Sequence, residues 1–143
     1  MQLTAKIEYA YKAILELAFR YDGEKPIRIG IVSQAQGIPK KFLVQLLLRL
    51  KNAGIVNSSR GVEGGYYLAR HPSQFSLADI VKAVDDNLLN PPKRGKTQKL
   101  SSSERLILSI WKDLNNETES RLKGMSLDKL VSQIKSEPLN YYI

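Results

Sequence analysis

The segment that most constrains the fold lies near the middle of the chain, where a tight turn, an amphipathic helix and a glycine-rich hairpin follow one another. Residues 37–39, Gly-Ile-Pro, suit a turn between two helices, because glycine permits a positive φ and proline favours a helix start. Apolar spacing predicts a helix from about Pro39 to Asn52. The strand-like segments 55–58 and 66–69 then flank a glycine-rich tip. We therefore predict a helix-turn-helix followed by a hairpin, residues 55–69, which we call the wing.

The helix predicted over residues 39–52 has one apolar face and one mixed face. The inward positions are all leucines, namely Leu43, Leu46, Leu47 and Leu50. The outward positions are Lys40, Lys41, Val44, Gln45 and Leu48. Apolar residues three and four positions apart are typical of a helix that packs on a core along one side. The mixed face is therefore free to meet a partner.

Positive charge is concentrated around this motif. Between Lys25 and Val62 the sequence contains seven Lys or Arg residues and no Asp or Glu. The whole chain has a net charge of +8, to which residues 106–143 contribute nothing because their acidic and basic side chains balance. A basic helix followed by a basic hairpin favours a surface for double-stranded DNA. A solvated positive face is the alternative explanation.

In a helix-turn-helix, the start of the second helix enters the major groove. Here that helix begins at Pro39. The rule places Lys40 and Lys41 at phosphates or at a guanine edge, and Gln45 near a base.

The wing predicts a second DNA contact. Arg60 stands at its tip, where a guanidinium can enter a narrow minor groove of strong negative potential. Gly61, Gly64 and Gly65 would let the backbone approach the sugar-phosphate wall closely. The alternative for Arg60 is a solvated arginine in a turn.

The rest of the composition argues against other classes of site. The chain has 143 residues and no cysteine, which excludes disulfides, thiolate zinc sites and cysteine-held iron–sulfur clusters within it. His71, the single histidine, precedes a proline and is better explained as a turn residue than as a catalyst. Asp85 and Asp86 could attract a divalent cation, although adjacent acids at a helix end are usually just exposed. We expect no enzyme, no metal site and no cofactor.

Membrane and export signals are also missing from the sequence. No apolar run approaches the length of a membrane helix, and the first residues lack a basic-then-apolar pattern. We therefore expect a cytoplasmic protein without membrane contact.

The segments before the turn predict two helices and a short strand. The first helix spans residues 3–21, and the strand spans residues 27–29. A brief helix over residues 30–36 is expected to bury Ile31, Val32 and Ala35.

The segments after the wing predict three more helices. Ser76 can cap a helix that starts at Leu77, with Asp79 completing part of the capping arrangement. A long helix from about Ser103 to Lys123 is expected to be capped by Ser102 or Ser103. A last helix follows Ser126.

Together these segments predict a mainly α fold with a small β-hairpin wing. Residues 1–85 are expected to form a winged helix-turn-helix DNA-binding domain. Residues 86–101, which are basic and contain two prolines and a glycine, are expected to form a flexible loop. Residues 102–143 are expected to hold a long dimerisation helix, the last helix and a tail.

The long helix has an apolar stripe that must be buried somewhere. Its members are Leu106, Ile107, Ile110, Trp111 and Leu114. They could pack on their own domain or pair with the same helix of a second copy. We favour the homodimer, because two-fold proteins match symmetric operators.

The order of elements and several motifs resemble the Rrf2 family of bacterial winged-helix regulators, which includes the IscR, NsrR, RirA and CymR types. The similarity is carried by residues 3–10, 37–46 and 50–56, by Ser59-Arg60-Gly61 with Gly64-Gly65-Tyr66, and by residues 76–85 and 125–131. The resemblance implies a homodimer joined by the long helix, palindromic operators, and a wing arginine, here Arg60, in the minor groove.

Two departures from the family pattern affect these expectations. Many relatives carry an acidic residue in the recognition helix where this chain has Val44. Cluster-binding relatives hold iron–sulfur through cysteines in the loop that corresponds to residues 86–101, and this chain has none. Glu8 matches a position that can supply an oxygen ligand in some relatives, but a surface or DNA-side carboxylate explains it better. We expect a transcription regulator without a cluster.

The C-terminal residues suggest an alternative function. Tyr141-Tyr142-Ile143 resembles the end of the cysteine-metabolism repressors, whose terminal isoleucine is similar to the serine acetyltransferase tail that enters cysteine synthase. The chain could then regulate a metabolic enzyme such as cysteine synthase through its tail. A self-packed or disordered end is the simpler explanation.

Overall fold

The computed structural model describes residues 2–90 and 99–137. The helices are α1 (Ala5–Phe19), α2 (Ile29–Gln36), α3 (Lys40–Asn52), α4 (Leu77–Val84), α5 (Ser102–Lys123) and α6 (Leu127–Ser136). The strands β1 (Val56–Ser59) and β2 (Gly65–Leu68) pair antiparallel, and a short 3-10 helix spans Pro72–Gln74. The mainly α fold with a small hairpin is therefore confirmed.

Helices α1, α2 and α3 pack around one apolar core. The four leucines of α3 are all buried, as predicted, and so is Ile38 in the turn. Gly37 adopts the left-handed conformation, with φ of +64°, and ends α2. The turn sets the angle between α2 and α3, because Ile38 fills the space between them.

The face of α2 differs from the predicted one. Val32 is buried, but Ile31 and Ala35 are exposed. The helix has only eight residues, and it is anchored by Val32 together with Ile29, which is partly buried against the same core. Ile31 instead lies beside the wing.

The predicted strand at residues 27–29 is wrong. Only Ile27 forms a bridge, to Tyr66, and Ile29 already belongs to α2. The bridge has two backbone hydrogen bonds: the N–H of Ile27 donates to the carbonyl of Tyr66 at 2.8 Å, and the N–H of Tyr66 donates back at 2.9 Å. These bonds hold the wing against the helix-turn-helix.

Two wing glycines are required by packing. A methyl group on Gly65 would overlap the carbonyl of Ile27, and one on Gly64 would overlap the carbonyl of Ser59. Gly61, with φ of +109°, makes the turn at the wing tip. The hairpin itself therefore explains Gly61 and Gly64, and the contact of the wing with Ile27 explains Gly65.

Helix α4 begins with the predicted capping box of Ser76 and Asp79. The hydroxyl of Tyr11 donates to the carbonyl of Leu77 at 3.2 Å and ties α1 to α4. Burial raises the pKa of Tyr11 to about 12, so this phenol stays protonated and remains a donor.

Helix α6 packs back on the core formed by the N-terminal helices. Leu127 and Val131 belong to the same core as α1. The N–H of Leu77 donates to Met125, and the N–H of Leu127 donates to Phe75, both at 3.0 Å. These two hydrogen bonds join the segment after α5 to the residues at the start of α4.

Helix α5 begins one residue earlier than predicted. Its cap is Ser101, which forms a capping box with Glu104, and neither Ser102 nor Ser103 has that role. Gly124 ends the helix, as the sequence suggests. Leu122 is its one buried residue.

The packing of Gly65 yields a stability prediction. Gly65→Ala should lower the free energy of unfolding by about 1–3 kcal/mol, because the new methyl group separates the wing from Ile27. Gly30→Ala is the matched control, since its methyl group would meet only the flexible side chain of Lys40 at 3.5 Å. Urea unfolding followed by circular dichroism measures both. Equal midpoints for the two variants would contradict the steric argument.

Candidate nucleic-acid interface

A groove lies between the helix-turn-helix and the wing. It has a volume of about 1000 Å³, with one wall formed by the starts of α2 and α3 and the other by residues 58–66 of the wing. The side chains at its edges include Arg28, Ser33, Gln34, Lys40 and Arg60. The structure thus brings Lys40 and Arg60, two of the predicted DNA-binding residues, to a single groove.

The helix starts that border this groove lack side-chain caps. Arg28 precedes α2 and Pro39 precedes α3, and neither side chain bonds the free N–H groups of its helix. By contrast, α4 and α5 both begin with capping boxes that contain a carboxylate. The free N–H groups and the positive end of the helix dipole favour an anion at both bare starts.

Positive side chains stand where the helix dipole disfavours them. Lys40 and Lys41 occupy the first turn of α3, which has no acidic residue. The ammonium group of Lys40 also lies near Gly30, in the first turn of α2. A cation at a helix N-terminus costs a few tenths of a kcal/mol in the free protein. A bound phosphate would reverse the sign of this interaction at both helices.

Arg60 stands at the exposed tip of the wing. Within the described ranges, no acidic side chain pairs with it. Val62, nearby, is 90% exposed, so the tip projects into solvent. The guanidinium is therefore available to an external partner.

The outer ridge of α3 lies opposite its four buried leucines. It is formed by Lys41, Val44, Gln45 and Leu48, all exposed. Gln45 does not line the groove with Lys40 and Arg60. It borders a separate pocket of about 370 Å³ between α3 and the start of α1.

Arg28 was missed by the sequence analysis as a site residue. It falls on this groove because the bridge at Ile27 places the following residue at the cap of α2. The available signal was its position inside the acid-free segment. Lys25 lies in the same acid-free segment, so the sequence could not show that Arg28 lines the groove and Lys25 does not. That difference arises because the wing contacts the chain at Ile27.

The other candidate polar residues have local explanations. Glu8 pairs with Lys12 at 3.1 Å. Nδ1 of His71 accepts a hydrogen bond from the N–H of Ser73 at 3.1 Å and caps the 3-10 helix, in agreement with a turn role.

Asp85, considered as a possible cation ligand, also has local partners: it accepts a hydrogen bond from the N–H of Asn87 at 3.3 Å and lies 3.9 Å from Lys6. Across residues 2–90 and 99–137, no group of three or more His, Asp or Glu side chains is arranged to hold a metal.

The apolar stripe of α5 is uncovered within the single chain. Its five members, Leu106, Ile107, Ile110, Trp111 and Leu114, are all exposed, and Trp111 is 56% exposed. The prediction that they pair with a second copy therefore remains open, but packing on their own domain does not occur among the described residues.

An ionic cluster fixes the other end of α5. Glu119 pairs with Lys82 of α4 and, at 3.3 Å, with Lys123. Hydrogen bonds from these two lysines lower the pKa of Glu119, so its carboxylate stays charged. The cluster joins α5 to the domain that carries α3 and the wing.

Some predicted features fall outside the described residues. Tyr141, Tyr142 and Ile143 are among them, as are residues 91–98 of the predicted loop. The proposed contact of the tail with cysteine synthase thus stays a prediction. None of the described helices is long and apolar enough to cross a membrane.

A family model and a curated relative match the chain along most of its length. The family is Rrf2, described as an iron-dependent transcriptional regulator, and it matches residues 3–133. The IscR transcriptional regulator of Xenorhabdus nematophila is 35% identical over 131 residues, which are 92% of this chain and 79% of that protein.

Two solved structures have the same fold. IscR of T. potens matches with a TM-score of 0.76 and 26% identity, covering 99% of this chain and 95% of that one. CymR, the global cysteine regulator of B. subtilis, matches with a TM-score of 0.74 and 25% identity, covering 93% of this chain and 98% of that one. The relatives have a regulatory, non-enzymatic role. The chain therefore belongs to the Rrf2 family and is a DNA-binding transcriptional regulator of the helix-turn-helix type.

Proposed function

We propose that the protein acts as a homodimer that binds specific sequences of double-stranded DNA and carries no iron–sulfur cluster. The observation that carries the DNA-binding mode is the groove between the two uncapped helix starts and the wing. Two cations at its edges, Lys40 and Arg60, form no ion pair with an acidic side chain among residues 2–90 and 99–137. In this mode α3 enters the major groove and Arg60 enters the adjacent minor groove.

The phosphate contacts follow from the helix starts. Free N–H groups at α2 and α3 can donate to phosphate oxygens, while Lys40 and Arg28 supply positive charge. Such contacts position the protein on the duplex without reading the sequence. Base recognition is left to the outer ridge of α3.

The exposed stripe of α5 supports the homodimer. A two-fold interface places the same surface on both sides, so an apolar stripe can pair with its own copy. Charge does not oppose this pairing, because residues 106–143 are neutral overall although the chain has a net charge of +8. With α5 held by the Glu119 cluster, pairing would set the distance between the two copies of α3.

The iron dependence in the family description does not fit the donors of this chain. The sequence supplies no cysteine, and the single histidine is engaged in capping the 3-10 helix. Iron–sulfur clusters are held by thiolates, with histidine replacing some of them in a minority of cases. Regulation in this protein is therefore proposed to use another signal.

The role of Arg60 can be tested directly. Arg60→Ala should weaken binding to a duplex selected in vitro by about 1–3 kcal/mol, because the minor-groove contact is lost. Fluorescence anisotropy at several salt concentrations measures the affinity, and sedimentation shows whether the dimer persists. Lys129→Ala, an exposed residue on α6 with the same charge change, is the control. Equal affinities for the two variants would refute the wing assignment.

Trp111 is the only tryptophan and reports on the proposed dimer interface. Dilution of the wild-type protein should shift its emission to longer wavelength and increase acrylamide quenching, because the indole becomes exposed. Ile110→Asp should weaken the dimer by at least about tenfold, since a carboxylate is costly in an apolar interface. Ser109→Asp adds the same charge away from the stripe and should leave the dimer intact. A monomeric wild type at all concentrations would overturn the proposal.

Cluster chemistry has its own test. Protein purified without oxygen and incubated with ferrous iron, sulfide and a reductant should show no visible absorption after desalting, because it offers no thiolate ligands. Metal analysis should give far less than one iron per chain. A brown protein with stoichiometric iron would contradict the proposal.

A further inference from the structure

The outer ridge of α3 contains an apolar pair in its centre. Val44 and Leu48 lie one helical turn apart and are 47% and 53% exposed. Lys41 and Gln45 flank them, which gives the spacing i, i+3, i+4, i+7 along one side of the helix. Base-reading residues of homeodomain recognition helices have the same spacing.

No packing role accounts for this pair. The core is on the opposite side of α3, where the four leucines are fully or nearly buried. Phe42, which is also exposed, differs because its ring lies 6.4 Å from that of Tyr9. Charge indicates the partner. The ridge is on the helix whose first residue, Lys40, lines the basic groove, and it belongs to a segment without acidic residues, so the complementary surface is polyanionic.

The chemistry of the major groove restricts what two aliphatic side chains can recognise. The edges of guanine, adenine and cytosine present there only hydrogen-bond donors and acceptors, whereas thymine adds a C5 methyl group. An aliphatic group placed on a polar edge removes water without replacing its hydrogen bonds. The same group placed on a thymine methyl buries apolar surface on both sides.

We propose that Val44 and Leu48 read thymine methyl groups in the major groove and thereby select T·A pairs in each half of the DNA site. This inference rests on the proposed DNA-binding mode of α3. Lys41 and Gln45 supply polar contacts on either side of the pair. Helix α3 has no carboxylate, so the acidic side chains that accept from the amino group of cytosine are absent from it.

Uracil substitution isolates the methyl group. Uracil differs from thymine only by the missing C5 methyl and keeps its base pairing and its O4 acceptor. The full chain is first used to select duplexes from a random-sequence library at fixed salt. Each thymine of the selected duplex is then replaced by deoxyuridine in turn, and affinity is measured by fluorescence anisotropy.

We expect deoxyuridine to weaken wild-type binding by about fourfold at each thymine whose methyl group is contacted. Val44→Ala should abolish this sensitivity at one position of the half-site, and Leu48→Ala should abolish it at another. Both side chains are exposed, so the variants should fold normally. Ile134→Ala, which shortens an exposed aliphatic side chain on α6 outside the groove, is the matched control and should keep the full sensitivity of the wild type.

Two results would overturn the inference while leaving the DNA-binding mode standing. One is wild-type affinity that is unchanged at every deoxyuridine position. The other is full uracil sensitivity retained by both Val44→Ala and Leu48→Ala. A chain that enriches no duplex and shows no salt-dependent binding would instead reject the proposed function, and the inference with it.

Discussion

The functional surface depends on one pair of backbone hydrogen bonds, between Ile27 and Tyr66. These bonds form because Gly65 has no side chain, so that strand β2 can approach the residues before α2. The base of the wing is held separately, because Val56 and Leu68 are buried in the core, while the two bonds place the wing beside the residues that precede α2. In this arrangement Arg60 and Lys40 line the same groove, and Arg28 is placed at the start of α2. The missing side chain at Gly65 is thus one of the conditions for this interface.

The charges at the helix starts make this interface favourable for an anion. The chain places carboxylates in the capping boxes of α4 and α5, yet it leaves α2 and α3 uncapped with cations at their starts. The uncapped N–H groups and the cations beside the positive helix ends are both mildly unfavourable in the free protein. A bound anion would pair with the N–H groups and with the cations. The same helix α3 carries the ridge proposed to read bases. Positioning and reading are therefore separated on one short helix.

In the part of the chain that the structure describes, helix α5 contacts the core only near its C-terminal end. Its end is held by Leu122 and by the cluster of Glu119 with Lys82 and Lys123, while its apolar stripe lies uncovered. Pairing through that stripe would link the orientation of two α3 helices through rigid elements. The chain has no cysteine, so we propose that a signal which changes this orientation acts through other groups.

The sequence by itself determined the helices, the buried face of α3 and the wing, because apolar periodicity, capping residues and turn glycines are local properties. It also located the positive charge on which the proposed DNA-binding surface depends. Only the tertiary structure decided which residues share the groove: it added Arg28, left Gln45 outside the groove, exposed Ile31 and reduced the predicted strand to one bridge. These outcomes depend on contacts between residues distant in sequence, which periodicity does not encode.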